Sequence, residues 1–375
     1  MSETAAGTAT ASEGRPKHSG ARPGRLVGLD LARGLAVFGM FAAHLGPDPE
    51  VGGPVGAAMR LAHGRASALF AVLAGCSLVL LAGRRPGTGQ NGRRTAAGIA
   101  VRAALLILLG TALDALDPPV SLILAAYGAY FLLALPLLRL PAAPLAGLAV
   151  AWALLAPQLS YALRAAGAAD VLPRRLAEPL LTGAYPAATW MPFVLAGMAL
   201  ARLDPSGPAV RRWAATVGAG LLVLGYGGSW LAVRLLGAEV PEEGSGVVGL
   251  GDPVGLLGAA PHTGTSFEVL GALGFALLVV AGCVELTARP AAAGAGAAAV
   301  AAVAAVGRLS LTAYVGHVVV VVLFGIELDP GPPLPLFAAF VAGTLAAAGL
   351  WTARFARGPL EAVMHRAAGV ARLVP

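Results

Sequence analysis

Charge is what this sequence has least of. Only 12% of its 375 residues are Asp, Glu, Lys or Arg, where a soluble domain carries about a quarter. Lysine is nearly missing, with Lys17 the single copy among 26 basic residues. Cysteine is reduced to Cys76 and Cys283, each inside an apolar run, which excludes a disulfide framework and gives no thiolate metal site. A pI near 10.1 that rests on arginines between apolar runs is an orientation signal for a membrane protein, not a nucleic-acid surface. No Walker-type Gly-Lys-Ser/Thr loop, HExxH or CxxC appears, and no GxGxxG or GxSxG stands in a strand–helix context. ATP-driven transport within this chain is therefore not expected.

What is present is apolar: 57% of the residues are hydrophobic and the mean hydropathy is +0.78. The 51 glycines and 28 prolines sit among Leu, Val and Ala, where small residues let membrane helices pack closely. A span needs roughly 20 apolar residues at about 1.5 Å each. On that rule the predicted fold class is an all-α polytopic membrane protein of about ten transmembrane helices, both termini cytoplasmic. The expected spans are 25–45, 64–82, 96–113, 120–138, 145–163, 187–201, 213–235, 267–286, 306–324 and 335–355. The sixth opens with Tyr185-Pro186 and Trp190-Met191-Pro192 and is expected to be tilted or re-entrant. Residues 291–306 read as a surface helix or a lead-in to the ninth. Residues 1–24 read as a disordered cytoplasmic tail, 25–358 as one transmembrane domain and 359–375 as a cytoplasmic C-terminal tail. A cleaved signal peptide, with 34–43 as its apolar core, is the rival for the start, and Arg33 interrupts it.

Counting Lys and Arg on alternate sides places eighteen on the side of both termini. Six lie opposite: Arg60, Arg65, Arg164, Arg174, Arg175 and Arg234. The positive side faces the cytoplasm, so the protein is expected as a multi-pass component of the plasma membrane.

The first span holds the residues around which the functional reading is built. It carries Asp30 and Arg33 near its start and His44 near its end. Ionisable groups at membrane depth face a bundle interior, a partner or a watery path. Eleven positions bring Arg33 and His44 back to one helix face, roughly 16 Å apart, with Val37 and Met40 between. An imidazole that titrates near neutrality is the usual base for a hydroxyl or amine. His63 opens the second span beside Arg65 and Ser67, at the same mouth as His44. The long loop 237–265 brings Asp252, His262, Thr263 and Thr265, followed by Ser266 and Glu268, groups suited to a polyhydroxylated acceptor. Thr265 with Glu268 three residues on also reads as a helix cap. Ser310, Tyr314 and His317 share a face of the ninth span, lining a cavity or bonding to a neighbouring helix. Arg84, Arg85, Arg93, Arg94, Arg211, Arg212 and Arg308 suit the phosphates of an anionic cytoplasmic ligand, beyond their part in orientation.

Several stretches resemble the transmembrane acyltransferase superfamily. They are GLDLARGLAVFGMFAAH, GRASALFAVLAGCSL, YPAATWMPFVLAGMALAR, GRLSLTAYVGH and FARGPLEAVMHR. The first two are similar to the start of the heparan-alpha-glucosaminide N-acetyltransferase family and of the YeiB-like membrane proteins. The last three look like the YeiB-like pattern. Arg33, ten residues and His44 also match the signature of the bacterial acyltransferase-three branch. Where the heparan family follows its reactive His with Trp-Asn-Gly, this chain has Gly64-Arg65 after His63. The resemblance implies acyl-CoA, acetyl-CoA above all, as a co-substrate from the cytoplasm, an extracytoplasmic glycan or small-molecule acceptor, and a histidine at the reacting centre. His44, or else His63, is then the general base, with Arg33 and Asp30 orienting the thioester arm. No permanently bound cofactor, metal or nucleic acid is expected; the bilayer is the standing partner, and oligomeric state is left open. A transporter or permease for a small polar or lipidic solute, or a non-catalytic membrane protein, is the alternative.

Overall fold

The computed structural model describes residues 26–84, 87–289, 294–328 and 331–373. The 1–24 tail and Arg85 lie outside the described residues. Among the described residues all regular structure is helical. An apolar run in hydrocarbon must satisfy its own N–H and C=O groups, and a helix does so within one segment.

The elements in order are α1 Val27–Leu45, α2 Gly53–Ala62, α3 Arg65–Ala82, α4 Gly89–Asp114 and α5 Leu124–Ala134. They continue with α6 Ala142–Ala165, α7 Ala187–Leu203, α8 Pro208–Leu236 and α9 Ser266–Ala288. The chain ends with α10 Ala295–Arg308, α11 Ser310–Leu323, α12 Leu334–Arg354 and α13 Pro359–Ala368. Among the described residues seven helices are long and apolar enough to cross a membrane, or up to nine if each of two bent pairs is one span. The fourth expected span is a shorter apolar helix, Leu124–Arg139, whose end tightens into a 3₁₀ turn at Pro136. The sixth expected span is the second arm of a bent pair, Arg174–Thr182 with Ala187–Leu203, which meet at 58°.

Helices α1, α3, α7 and α9 form the buried centre, and α4, α5, α6, α8, α10 and α12 pack around them. Packing is tightest between α3 and α7. Gly75 and Gly197 there each back onto the other helix's main chain, so that a methyl group at either would collide with the Val194 or Val72 carbonyl. Such close approach is how membrane helices gain contact without a hydrophobic drive between them. The outer helices present Leu155, Leu159, Val223, Trp230 and Leu350 outward, an apolar coat fitted to lipid.

One departure from the sequence reading matters for the site. Residues 306–324 are not a straight span. Helices α10 and α11 meet at Leu309 with a bend of 78°. Gly307 rests on the Asp30 carbonyl of α1, where no side chain fits, so α10 is pinned to α1 up to the break. The freed N-terminus of α11 is satisfied by Glu361 of α13, which accepts from the Leu311 and Thr312 amides at 2.8 and 3.1 Å and from Thr312 Oγ1 at 2.6 Å. The segment after residue 358 therefore packs on α4 and α11 as a wall of the bundle.

Candidate functional site

Two cavities lie end to end along α1. The first, of about 370 Å³, opens toward the arginine-rich end and is lined by Arg33, Arg102, Arg308, Arg357, Tyr314 and Glu361 together with apolar side chains. The second, of about 600 Å³, lies toward the opposite end, made acidic by Asp48 and Glu243, and is lined by these two with His44, His63, His262 and Ser67. Met40, on the α1 face between Arg33 and His44, lines both. Arg33 and His44 thus line adjoining cavities on one face of α1, with Met40 between them.

Arg33 is held at two points. One guanidinium nitrogen donates to Asp30 Oδ1 at 2.9 Å, and another to Ser77 Oγ at 2.9 Å. Ser77 in turn donates to the Leu73 carbonyl. Asp30 is buried, and its partnership with Arg33 is what permits a carboxylate at that depth.

At the other end, His44 Nδ1 lies 2.9 Å from His317 Nε2, and the rings stack at 5.2 Å. His317 Nδ1 meets the Tyr314 carbonyl. His317 is 1% exposed and does not line the cavity, so a ligand there meets His44 first. His63 Nε2 sits 2.9 Å from Glu243 Oε1 at the rim. His262 completes the cluster, 5.9 Å from His63 and stacked at 6.3 Å on Trp190. Its backbone is left-handed at φ 59°, a costly conformation for a non-glycine residue that is held by the bond from its amide to Glu268 Oε1 at 2.7 Å.

Of the other loop residues expected at an acceptor site, none lines this cavity. Asp252 accepts from the Val254 amide and caps a 3₁₀ turn. Thr263 donates to the Ala260 carbonyl, Thr265 caps α9 through the Glu268 amide, and Ser266 donates to the Ala153 carbonyl. Glu268 accepts from the His262 and Gly264 amides. These groups build the loop that aims His262. Arg65 is likewise engaged elsewhere, with Tyr226 Oη at 3.0 Å and the Arg60 carbonyl at 2.9 Å. Ser310 and Tyr314 face the arginine-rich cavity instead.

The expected phosphate-binding arginines are dispersed in the same way. Arg308 lines the first cavity. Arg84 is bound by Asp204 through two bonds of 2.7 and 2.6 Å, and Arg211 by Glu285 at 2.8 Å. Arg212 is exposed on α8, Arg94 lines a 190 Å³ recess that shares Leu81 and Arg102 with the first cavity, and Arg93 lines neither of the two main cavities. Arg102, Arg357 and His365 take places in the first cavity that sequence reading did not assign. Arg102 carried the same signal as Arg33, an ionisable side chain inside an apolar run. The other two stand in the FARGPLEAVMHR stretch.

Burial, reinforced by the neighbouring His63 and opposed by Glu243, pulls the His262 imidazole down to about 4. An unfolded histidine takes its proton near 6.5. Between those values the unfolded chain binds the extra proton, so stability falls as pH drops through that window. His262→Gln is expected to melt less steeply earlier on going from pH 7 to pH 5 than the parent, read as the melting temperature in detergent at each pH.

A helical bundle with an apolar coat and, toward each end, a cavity that holds charged or ionisable side chains is a polytopic membrane protein. Residues 25–225 match the family described as heparan-alpha-glucosaminide N-acetyltransferase, catalytic, and residues 256–371 match one described as a protein of unknown function, DUF418. The first match covers more than half of the chain, which therefore belongs to that family, as an acetyltransferase-like membrane protein with YeiB-like features. No curated protein matches the chain.

Proposed function

We propose that the protein transfers an acyl group, acetyl in the first instance, from acyl-CoA at the cytoplasmic, arginine-rich end to a hydroxyl or amine of an acceptor at the opposite end. The family name favours a carbohydrate as that acceptor. One observation carries the reading: Arg33 and His44 lie on one helix face and open into two cavities that meet at Met40.

Arg102, Arg308 and Arg357 suit the phosphates of coenzyme A, since a guanidinium fork matches phosphate oxygens in pairs. Arg33, fixed by Asp30 and Ser77, orients the arm that carries the thioester. Met40 is unbranched and flexible, a partition that a slender acyl arm can push aside. In the transfer step the acceptor O–H or N–H gives its proton to His44 Nε2, and the acceptor atom bonds to the thioester carbonyl carbon. The C–S bond then breaks, and the departing sulfur takes that proton back from His44 to leave as the free thiol, which restores the neutral imidazole. Acceptor and acyl-CoA become acylated acceptor and coenzyme A, with nothing oxidised or reduced.

The test uses membrane vesicles of known orientation loaded with radiolabelled acetyl-CoA on the arginine-rich side. Label is expected in a compound on the far side. Acetyl-CoA at 100 times its Kd is expected to stabilise the detergent-purified protein by about 2.7 kcal/mol. A protein that moves solute without consuming acetyl-CoA, or is not stabilised by it, refutes the proposal.

A further inference from the structure

We propose that His317 is a positioning residue: it holds His44 in the tautomer whose Nε2 carries a free lone pair. The inference rests on the acyl-transfer reading above. It follows from the order of donors and acceptors along three groups. The Tyr314 carbonyl can only accept, so His317 Nδ1, which meets it, is the donor. A neutral imidazole that donates from Nδ1 accepts at Nε2. The 2.9 Å contact between the two rings then runs from His44 Nδ1–H to His317 Nε2. His44 has spent its one proton in that bond, and its Nε2 is bare.

Packing fixes the direction of this chain. The His317 ring lies 5.0 Å from Phe41 on one helix and 5.0 Å from Tyr314 on its own. With 1% exposure it has no solvent to exchange its carbonyl bond against. His44 is the member that lines the cavity, and His317 stands behind it. This is the arrangement of a base oriented by a second group, here with a second histidine and a main-chain carbonyl in place of a carboxylate. Without His317, nothing selects between the two tautomers of His44, and the one protonated at Nε2 cannot accept a proton from the acceptor.

The bend at Leu309 makes this contact. It sets α11 at 78° to α10, and α11 carries His317 beside His44.

The test compares His317→Leu with His317→Gln. Leu fills the space without polar atoms, whereas the Gln amide oxygen can accept from His44 Nδ1–H. The Leu variant is expected to lose kcat by about 10²-fold or more, the scale of a general base, with KM for acyl-CoA unchanged. The Gln variant is expected to recover at least about tenfold of that loss. The second readout needs no turnover: ¹⁵N NMR of histidine-labelled protein, with the His44 signal assigned by its absence in His44→Gln. The parent is expected to show His44 protonated at Nδ1 and bare at Nε2, and the Gln variant to keep that state. A parent His44 protonated at Nε2 overturns the proposal, as does a Leu variant with parental kcat. If parent membranes transfer no acyl group, the functional reading fails, and the NMR result still decides the tautomer.

Discussion

Replacing His44 with alanine is expected to lower acyl transfer by about 10²- to 10⁴-fold, the range that a positioned acid–base group supplies. His44 meets the acidic-end cavity and stands at the end of the α1 face that begins with Arg33. His63 is the other histidine of that mouth that sequence reading nominated. Its ring is tied to Glu243 at the rim, and Met40, the residue common to both cavities, neighbours His44 one helical turn away. The substitution leaves His317 Nε2 without its partner, a loss of about 1–3 kcal/mol for a buried group. A lowered melting temperature is therefore expected beside the lost activity. His44→Gln separates the two effects, since its amide can still donate to His317 but is no base at neutral pH. Acetyl-CoA stabilisation is expected to persist in both variants, because His44 does not line the arginine-rich cavity. The measurement is kcat in membranes normalised to folded protein. Parental activity in His44→Ala would remove it from the mechanism and leave His63 as the base to examine.

The cavity-lining places of Arg33 and His44 on α1 were legible because ionisable residues inside an apolar run are expensive and therefore informative. Arg102 offered the same signal, and its meaning became visible only when α4 turned it into the cavity that Arg33 lines. The arginine clusters were ambiguous for a different reason. Loop arginines orient a membrane protein wherever their side chains end up, so composition could not separate Arg308 in the cavity from Arg84 bound to Asp204. The polar loop before α9 shows the limit of side-chain inventories. Thr263, Thr265, Ser266 and Glu268 have the chemistry of a binding site and spend it on main-chain groups, Ser266 on the Ala153 carbonyl of α6 and the others on the loop itself, so that of residues 262–268 it is His262 that lines the cavity. The bend at Leu309 was hidden because the run on either side is apolar enough to read as one span and periodicity carries no angle. Its causes are a glycine pressed on Asp30 and a carboxylate 50 residues downstream. The His44–His317 contact joins residues 273 apart, a distance over which a single sequence has no voice.

That distant carboxylate yields the second large expected effect. Glu361→Leu is expected to destabilise the protein by about 2–3 kcal/mol, the cost of removing a charged acceptor from amides that find no other partner. Leu311 N, Thr312 N and Thr312 Oγ1 all donate to it, at the positive end of a helix dipole that favours a negative charge. The same change is expected to reduce transfer beyond what stability explains. Helix α11 starts at this cap and carries Tyr314 into one cavity and His317 onto His44 two turns further along. Glu361 itself lines the arginine-rich cavity, so its loss also removes a negative charge from the wall of that cavity. Two consequences of opposite sign on acyl-CoA binding can then be told apart. If the carboxylate chiefly opposes an anionic ligand, Glu361→Gln, which keeps an amide oxygen for the helix N-terminus, is expected to lower KM for acyl-CoA while kcat holds. If helix placement dominates, Gln is expected to sit near the parent in both constants and Leu to lose kcat. Melting temperatures and steady-state constants for the two variants decide between these, and a Leu variant as stable and as active as the parent would show that the break at Leu309 does not depend on this cap.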